Sequence, residues 1–188
     1  KNIYEDPSQM TFLLEVGGNH SHAYGTQCFK ISRDYSRTCC VKFPDFEDPA
    51  YKPDVHLAYI SDYVDECLLA MSNQDWEKVC ELIDVDSFID HYIVQEVFAN
   101  KDAFWCSIYF YKEPNGKLYA GPVWDFDYAT FRVLDIVPAN GEHLWYGELL
   151  QYPEFKAAVK ARWSEHKTLF ESIDGYIVHQ AEMIRKSN

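Results

Sequence analysis

The sequence predicts an α+β domain: strand-like segments crowd its first third, amphipathic helical stretches fill the middle and the end, and an aromatic β-hairpin lies between two acidic loops. Thr11-Phe12-Leu13-Leu14-Glu15-Val16 running into Gly17-Gly18-Asn19 reads as a strand followed by a turn. Gln27 to Arg33 and Thr38 to Phe43 are two further extended segments with a polar turn between them. Pro44 to Pro53 is a proline-spaced, acidic connector, and no internal repeat or low-complexity tract occurs.

Helices follow. Asp54 to Met71 carries Val55, Tyr59, Ile60, Val64 and Leu68 close to one helical stripe, and a shorter helix, Gln74 to Ile83, comes after a turn at Ser72-Asn73. The most regular element starts at Val85 and ends near Asn100. Its apolar residues Phe88, Ile89, Tyr92, Ile93 and Val97 fall at i, i+3, i+4 spacing, and Asp84 or Asp86 is available as N-cap. Phe88, Ile89, Tyr92 and Ile93 are therefore expected in the core. Ser107 to Lys112 and Lys117 to Ala120 alternate around Glu113-Pro114-Asn115-Gly116, and an Asn-Gly turn flanked by alternating aromatics is a hairpin signal. An irregular stretch extends from Asp127 to Gly141. Two helices close the chain, Pro153 to Lys167 with proline at the first helical position, and Thr168 to Lys186.

Composition narrows the function. A chain of 188 residues, 47% hydrophobic and 16% aromatic, is one domain or one large part of a domain with a sizeable core. Its net charge of −13 argues against reading a nucleic-acid backbone, which needs clustered Lys and Arg. A polyphosphate would have to arrive with a divalent cation. No apolar run approaches the roughly 20 residues of a membrane span, and the first residues lack the apolar stretch of a signal peptide, so any targeting segment is expected to be removed or absent. The six cysteines form no CxxC pair, which argues against structural zinc, and their even number permits disulfides.

The chemistry-bearing residues lie on either side of the hairpin. Asn100-Lys101-Asp102 ends the amphipathic helix, and Gly121-Pro122-Val123-Trp124-Asp125-Phe126-Asp127 follows the second hairpin strand. A hairpin returns the chain to where it began, so Asp102 and Asp125 are expected near each other. Neighbouring carboxylates repel, and a hard cation or a shared proton relieves them. Magnesium, which takes one or two protein carboxylates beside water and phosphate oxygens, fits such a place. A single Asp after a helix is more commonly a cap or a turn residue, and Asp-x-Asp recurs by chance. Two acids set among aromatics, however, are not what packing alone asks for. Trp124, Phe126, Tyr109 and Tyr111 are expected in the core.

These strings carry a resemblance. Val85 to Glu96, Asn100-Lys101-Asp102-Ala103-Phe104, Ser107 to Lys112 and, above all, Gly121-Pro122-Val123-Trp124-Asp125-Phe126-Asp127 resemble the signature of the CotH (spore coat protein H) kinase-like family. Lys156 to Trp163 is similar to a later family helix ending in an Arg-Trp pair, here Arg162-Trp163. The resemblance implies an atypical, protein-kinase-like fold, with 1–188 a single domain made mainly of the helical C-terminal part. It further implies transfer of phosphate from ATP with Mg2+ to Ser or Thr of a protein substrate, at the cell surface or outside the cell, a bacterial spore coat included. By position, Asp102 would be the catalytic aspartate, orienting or deprotonating the acceptor hydroxyl. Asn100 and Ser107 would contact the cofactor. Ser107 stands at the offset where ordinary kinases place a metal-binding asparagine, and its hydroxyl is a weaker ligand than an amide oxygen. Asp125 would hold magnesium, with Asp127 as its partner. A non-catalytic secreted or cell-surface binding or assembly module that keeps the fold is the alternative.

The family's N-terminal lobe, which supplies the basic residue on the phosphates, is expected to be largely missing. Gly17-Gly18 and Gly25 make no GxGxxG, and no GxxxxGK[ST] is present. His20-Ser21-His22 could ligate a metal, though a surface-loop pair is the plainer reading. Asn19-His20-Ser21 is a glycosylation sequon, meaningful only in a glycosylating cell. Glu15 resembles an acidic position at the end of a family strand.

Overall fold

Five strands hydrogen-bond into one antiparallel sheet in the computed structural model, which describes residues 6–17, 25–31, 34–100, 102–104, 106–127, 130 and 144–187, with the backbone alone at 34–36, 144 and 187. They are β1 (Phe12–Val16), β2 (Cys28–Ile31), β3 (Asp34–Phe43), β4 (Ile108–Lys112) and β5 (Leu118–Ala120), in the spatial order β2-β3-β1-β4-β5. The expected α+β class holds. The hairpin of β4 and β5 does not stand alone, because β1 pairs with β3 on one side and β4 on the other. Asn115 takes the left-handed conformation at the hairpin turn (φ 54°), which asparagine tolerates better than most residues. Its side-chain amide exchanges two hydrogen bonds with Gln9, at 2.6 and 2.9 Å, tying the turn to the segment before β1. His20, His22 and the Asn19 sequon lie outside the described residues, as does Lys101.

Period-two alternation gives the sheet two unlike faces. Phe12, Leu14 and Val16 of β1 and Ile108 and Phe110 of β4 are buried against the helices. Leu13, Glu15, Tyr109 and Tyr111 lie on the other face. This corrects the core expected from sequence. Tyr109, Tyr111 and Phe126 are only half-buried and Trp124 is 38% exposed, because the helices cover the opposite face. Cys28 and Cys40, paired across β2 and β3, form a disulfide, while Cys39, Cys67, Cys80 and Cys106 are free.

The helices are α1 (His56–Ser72), α2 (Trp76–Leu82), α3 (Val85–Val97), α4 (Leu144–Leu149), α5 (Pro153–Glu171) and α6 (Ile173–Ser187). Asp84 is the N-cap of α3, its carboxylate accepting from the Ser87 amide at 2.8 Å. Ser87 Oγ in turn accepts from the Ala120 amide at 3.1 Å and pins the start of α3 to β5. Asp86 is free of capping. With Asp90 one turn on, it receives Arg162 of α5, Nη2 reaching Asp86 at 2.5 Å and Nη1 binding Asp90. The Arg162 of the sequence motif thus ties two helices together. Phe88, Ile89 and Ile93 are buried as expected, whereas Tyr92 is half-buried at the rim.

Helix α4, which periodicity did not reveal, drives Trp145, Tyr146 and Leu149 fully into the core. Phe88 stacks on Phe110 at 5.5 Å and touches both Trp145 and Tyr146. Helix α6 leaves Tyr176, Ile177 and Ile184 largely exposed. Among the described residues, no helix is long and apolar enough to cross a membrane.

Candidate active site

The C-terminus of α3 delivers the first acidic loop. Asn100 N–H donates to Gln95 O and Ala99 N–H to Glu96 O, closing the helix in a Schellman motif with Ala99, not glycine, in the left-handed position (φ 48°). A β-carbon there costs about 1 kcal/mol. Ser107 (φ 55°) and Asp125 (φ 60°) are in the same uncommon region, so three non-glycine residues of this conformation bracket the two acidic loops. Such strain concentrates at functional sites.

Asn100 is 1% exposed. Its Nδ2 donates to Gln95 Oε1 at 2.9 Å, which leaves Gln95 Nε2 to donate to His91 Nε2 at 3.3 Å. His91 must then be neutral with its proton on Nδ1, donating to Tyr146 Oη at 2.9 Å. The chain of contacts locks the Asn100 amide with its Oδ1 as the end that has no partner among the described residues. His91 and Gln95 were not singled out from sequence. Their signal is polar side chains at i and i+4 on the buried stripe of α3.

Burial pushes the His91 imidazole down to about 4 from 6.5. The unfolded chain therefore binds a proton more readily than the fold between those values. Stability is complete above about pH 6.5 and is lost as pH falls toward 4, by about 3 kcal/mol in all. Urea denaturation of wild type and His91→Gln should show the wild-type advantage at pH 7 shrinking toward about pH 4.5; an advantage constant with pH would place the ionisation elsewhere.

The two acidic loops are anchored at the adjacent residues Cys106 and Ser107. Cys106 Sγ donates to Asp102 Oδ1 at 3.1 Å, and its thiol is pushed up to about 11 by burial, by Asp102 and by the charge of Asp125. Asp102 begins a single 3-10 turn, Asp102–Phe104, and is half-buried, as are Ser107 and Asp125. Two anchors hold the second loop. Trp124 Nε1 donates to Ser107 O at 2.6 Å and its ring meets Tyr109 at 4.8 Å, while Phe126 meets Phe98, the C-cap of α3, at 5.4 Å. Asp125 sits between these anchors, and Asp127 is exposed beyond them.

A cation that sequence reasoning missed lies on β3. Lys42 Nζ pairs with Glu15 at 2.5 Å. The β1–β3 register slips between Leu13 and Leu14, whose partners are Phe43 and Val41, so Lys42 is the extra residue of a bulge. Lys42 lies two residues from Cys40, the β3 partner of Glu15, and so shares the face of Glu15. Tyr109, opposite Glu15 on β4, is pushed up by burial first and then by Glu15 and Asp125, with Lys42 opposing. The Glu15–Lys42 pair and Asp125 therefore share Tyr109 as a neighbour. A lone Lys inside Cys39-Cys40-Val41-Lys42-Phe43 was the available signal.

Among the described residues, no three His, Cys, Asp or Glu side chains are grouped closely enough to form a metal cage by themselves. The side chains of Asp102, Ser107, Asp125 and Asp127 offer the hard oxygen donors that magnesium takes beside water and phosphate oxygens. The arrangement of hard oxygens at strained loops beside one Lys–Glu pair suits binding and transferring a phosphoryl group. A family model described as CotH kinase protein matches residues 41–188. No curated protein and no solved structure matches the chain.

Proposed function

The chain belongs to the CotH kinase family, and from that premise we propose that it transfers phosphate from Mg-ATP to Ser or Thr hydroxyls of a protein substrate. Magnesium-ATP, when bound, supplies the transferable phosphoryl group and the cation that neutralises its charge. Asp102 accepts the proton of the attacking hydroxyl and orients its oxygen. Asp125 holds the metal, with Asp127 and the Ser107 hydroxyl as weaker contributors. Lys42, kept extended by Glu15, offers its ammonium to phosphate oxygens, the part a strand lysine paired with a glutamate plays in protein kinases. Asn100 lies at the start of the loop that bears Asp102, its amide fixed by Gln95. The single observation that carries the reading is the family match over residues 41–188, and it is supported by two acidic loops anchored at adjacent residues, Asp102 at Cys106 and Trp124 at Ser107. The Cys28–Cys40 bridge supports a place outside the reducing cytosol, at the cell surface or beyond it.

The full-length protein with Mg2+, γ-labelled ATP and a panel of protein acceptors should label serine or threonine, and EDTA should stop it. Lys42→Met should lower that transfer about 100-fold. A second reading, a non-catalytic binding or assembly module, draws on the exposed apolar side chains of α6, since large exposed apolar patches mark interaction surfaces. Absence of both transfer and nucleotide binding would leave that second reading.

A further inference from the structure

We infer that Cys106 is a positioning residue for Asp102: its thiol holds one carboxylate oxygen and thereby aims the other at the phosphoacceptor hydroxyl. The inference deepens the kinase reading and rests on it for the identity of that hydroxyl. Residue 106 grips residue 102 twice, through Sγ to Oδ1 at 3.1 Å and through its backbone N–H to Asp102 O at 2.9 Å. A carboxylate turns about its last torsion with little preference, so fixing one oxygen fixes the other.

Cys106 is itself held. A β-carbon built on Gly17 would lie 2.2 Å from Cys106 Cβ, and Gly17 has φ +110°, so only glycine lets the end of β1 close onto this residue. Ser107, in its left-handed conformation, then turns the chain into β4. The contact joins Glu15, two residues back along β1, to the loop of Asp102. Cys106 also differs in kind from the two buried free cysteines. Cys39 and Cys67 are fully buried and act as small apolar residues, whereas Cys106 is half-buried with its sulfur against a carboxylate.

Steady-state kinetics of the full-length protein with Mg-ATP provide the test. Cys106→Ala should lower kcat about tenfold with KM for ATP unchanged, because ordering of the acceptor, not nucleotide binding, is lost. Cys106→Ser should recover most of it, since a hydroxyl can donate in the thiol's place. A second readout needs no turnover. The S–H stretching band of Cys106, isolated as the infrared difference between wild type and Cys106→Ala, should move to higher frequency in Asp102→Ala. Unchanged kcat in Cys106→Ala, a Ser variant as slow as the Ala variant, or an S–H band indifferent to Asp102→Ala each overturns the inference. A wild-type protein that transfers no phosphate sinks the kinase reading instead, and the infrared comparison then decides alone whether the thiol orients the carboxylate.

Discussion

Asp125→Asn should lower phosphate transfer by about 1,000-fold or more while leaving the fold in place. The amide keeps the shape of the side chain but removes the charge that offsets magnesium. Asp125 is half-buried on a loop anchored by Trp124 and Phe126, so its neighbours, not its own charge, hold the loop. Its charge also adds to that of Asp102 at Cys106, and removing it relieves repulsion in the metal-free protein. Thermal melting should therefore give a Tm equal to or above that of wild type alongside the lost activity. Undiminished Mg-dependent transfer would refute the assignment. A stability loss of several kcal/mol would instead mark Asp125 as a structural acid.

Phe88→Ala should destabilise the protein by about 3–5 kcal/mol, the cost of deleting a large ring from a closed core. Phe88 is 0% exposed and lies where α3, β4 and α4 meet, in ring contact with Phe110, Trp145 and Tyr146. The residues around it come from three elements far apart in sequence, so collapse into the vacated volume would need all three to move. Urea denaturation measures the loss, and a value under about 1 kcal/mol would mean that the core relaxes around the gap.

Helix α3 and the β4–β5 hairpin were legible because each repeats its own period over many residues and ends on a recognisable signal, Asp84 at one and Asn115-Gly116 at the other. That Asp102 and Asp125 stand on either side of that hairpin was legible for the same reason. Lys42 was not, since its partner Glu15 lies on another strand and strand pairing is not written in either segment's own period. Alternation likewise grouped Tyr109 with Tyr111 but could not say which face the helices would cover, hence their misplacement in the core. Helix α4 has six residues, too few to show a helical period. The His91–Gln95–Asn100 chain was hidden for another reason: on a buried stripe, a polar residue reveals its use only through the partner that satisfies it, and Tyr146 is 55 positions away.

β1 is the first strand in the chain but the middle one in the sheet, and Phe12 meets its β4 partner Lys112 only 100 positions later. On a ribosome, then, the β2–β3 ribbon and its Cys28–Cys40 crosslink can close early around β1, yet the inner edge of β1 stays unsealed until the hairpin emerges. Loop closure over such a span slows folding, and an unsealed edge invites pairing with other chains meanwhile. The same topology bears on truncation. A chain trimmed to 41–188, the stretch the family model matches, would lose β1, β2 and most of β3, leaving the β4–β5 ribbon without its neighbour and Lys42 without Glu15.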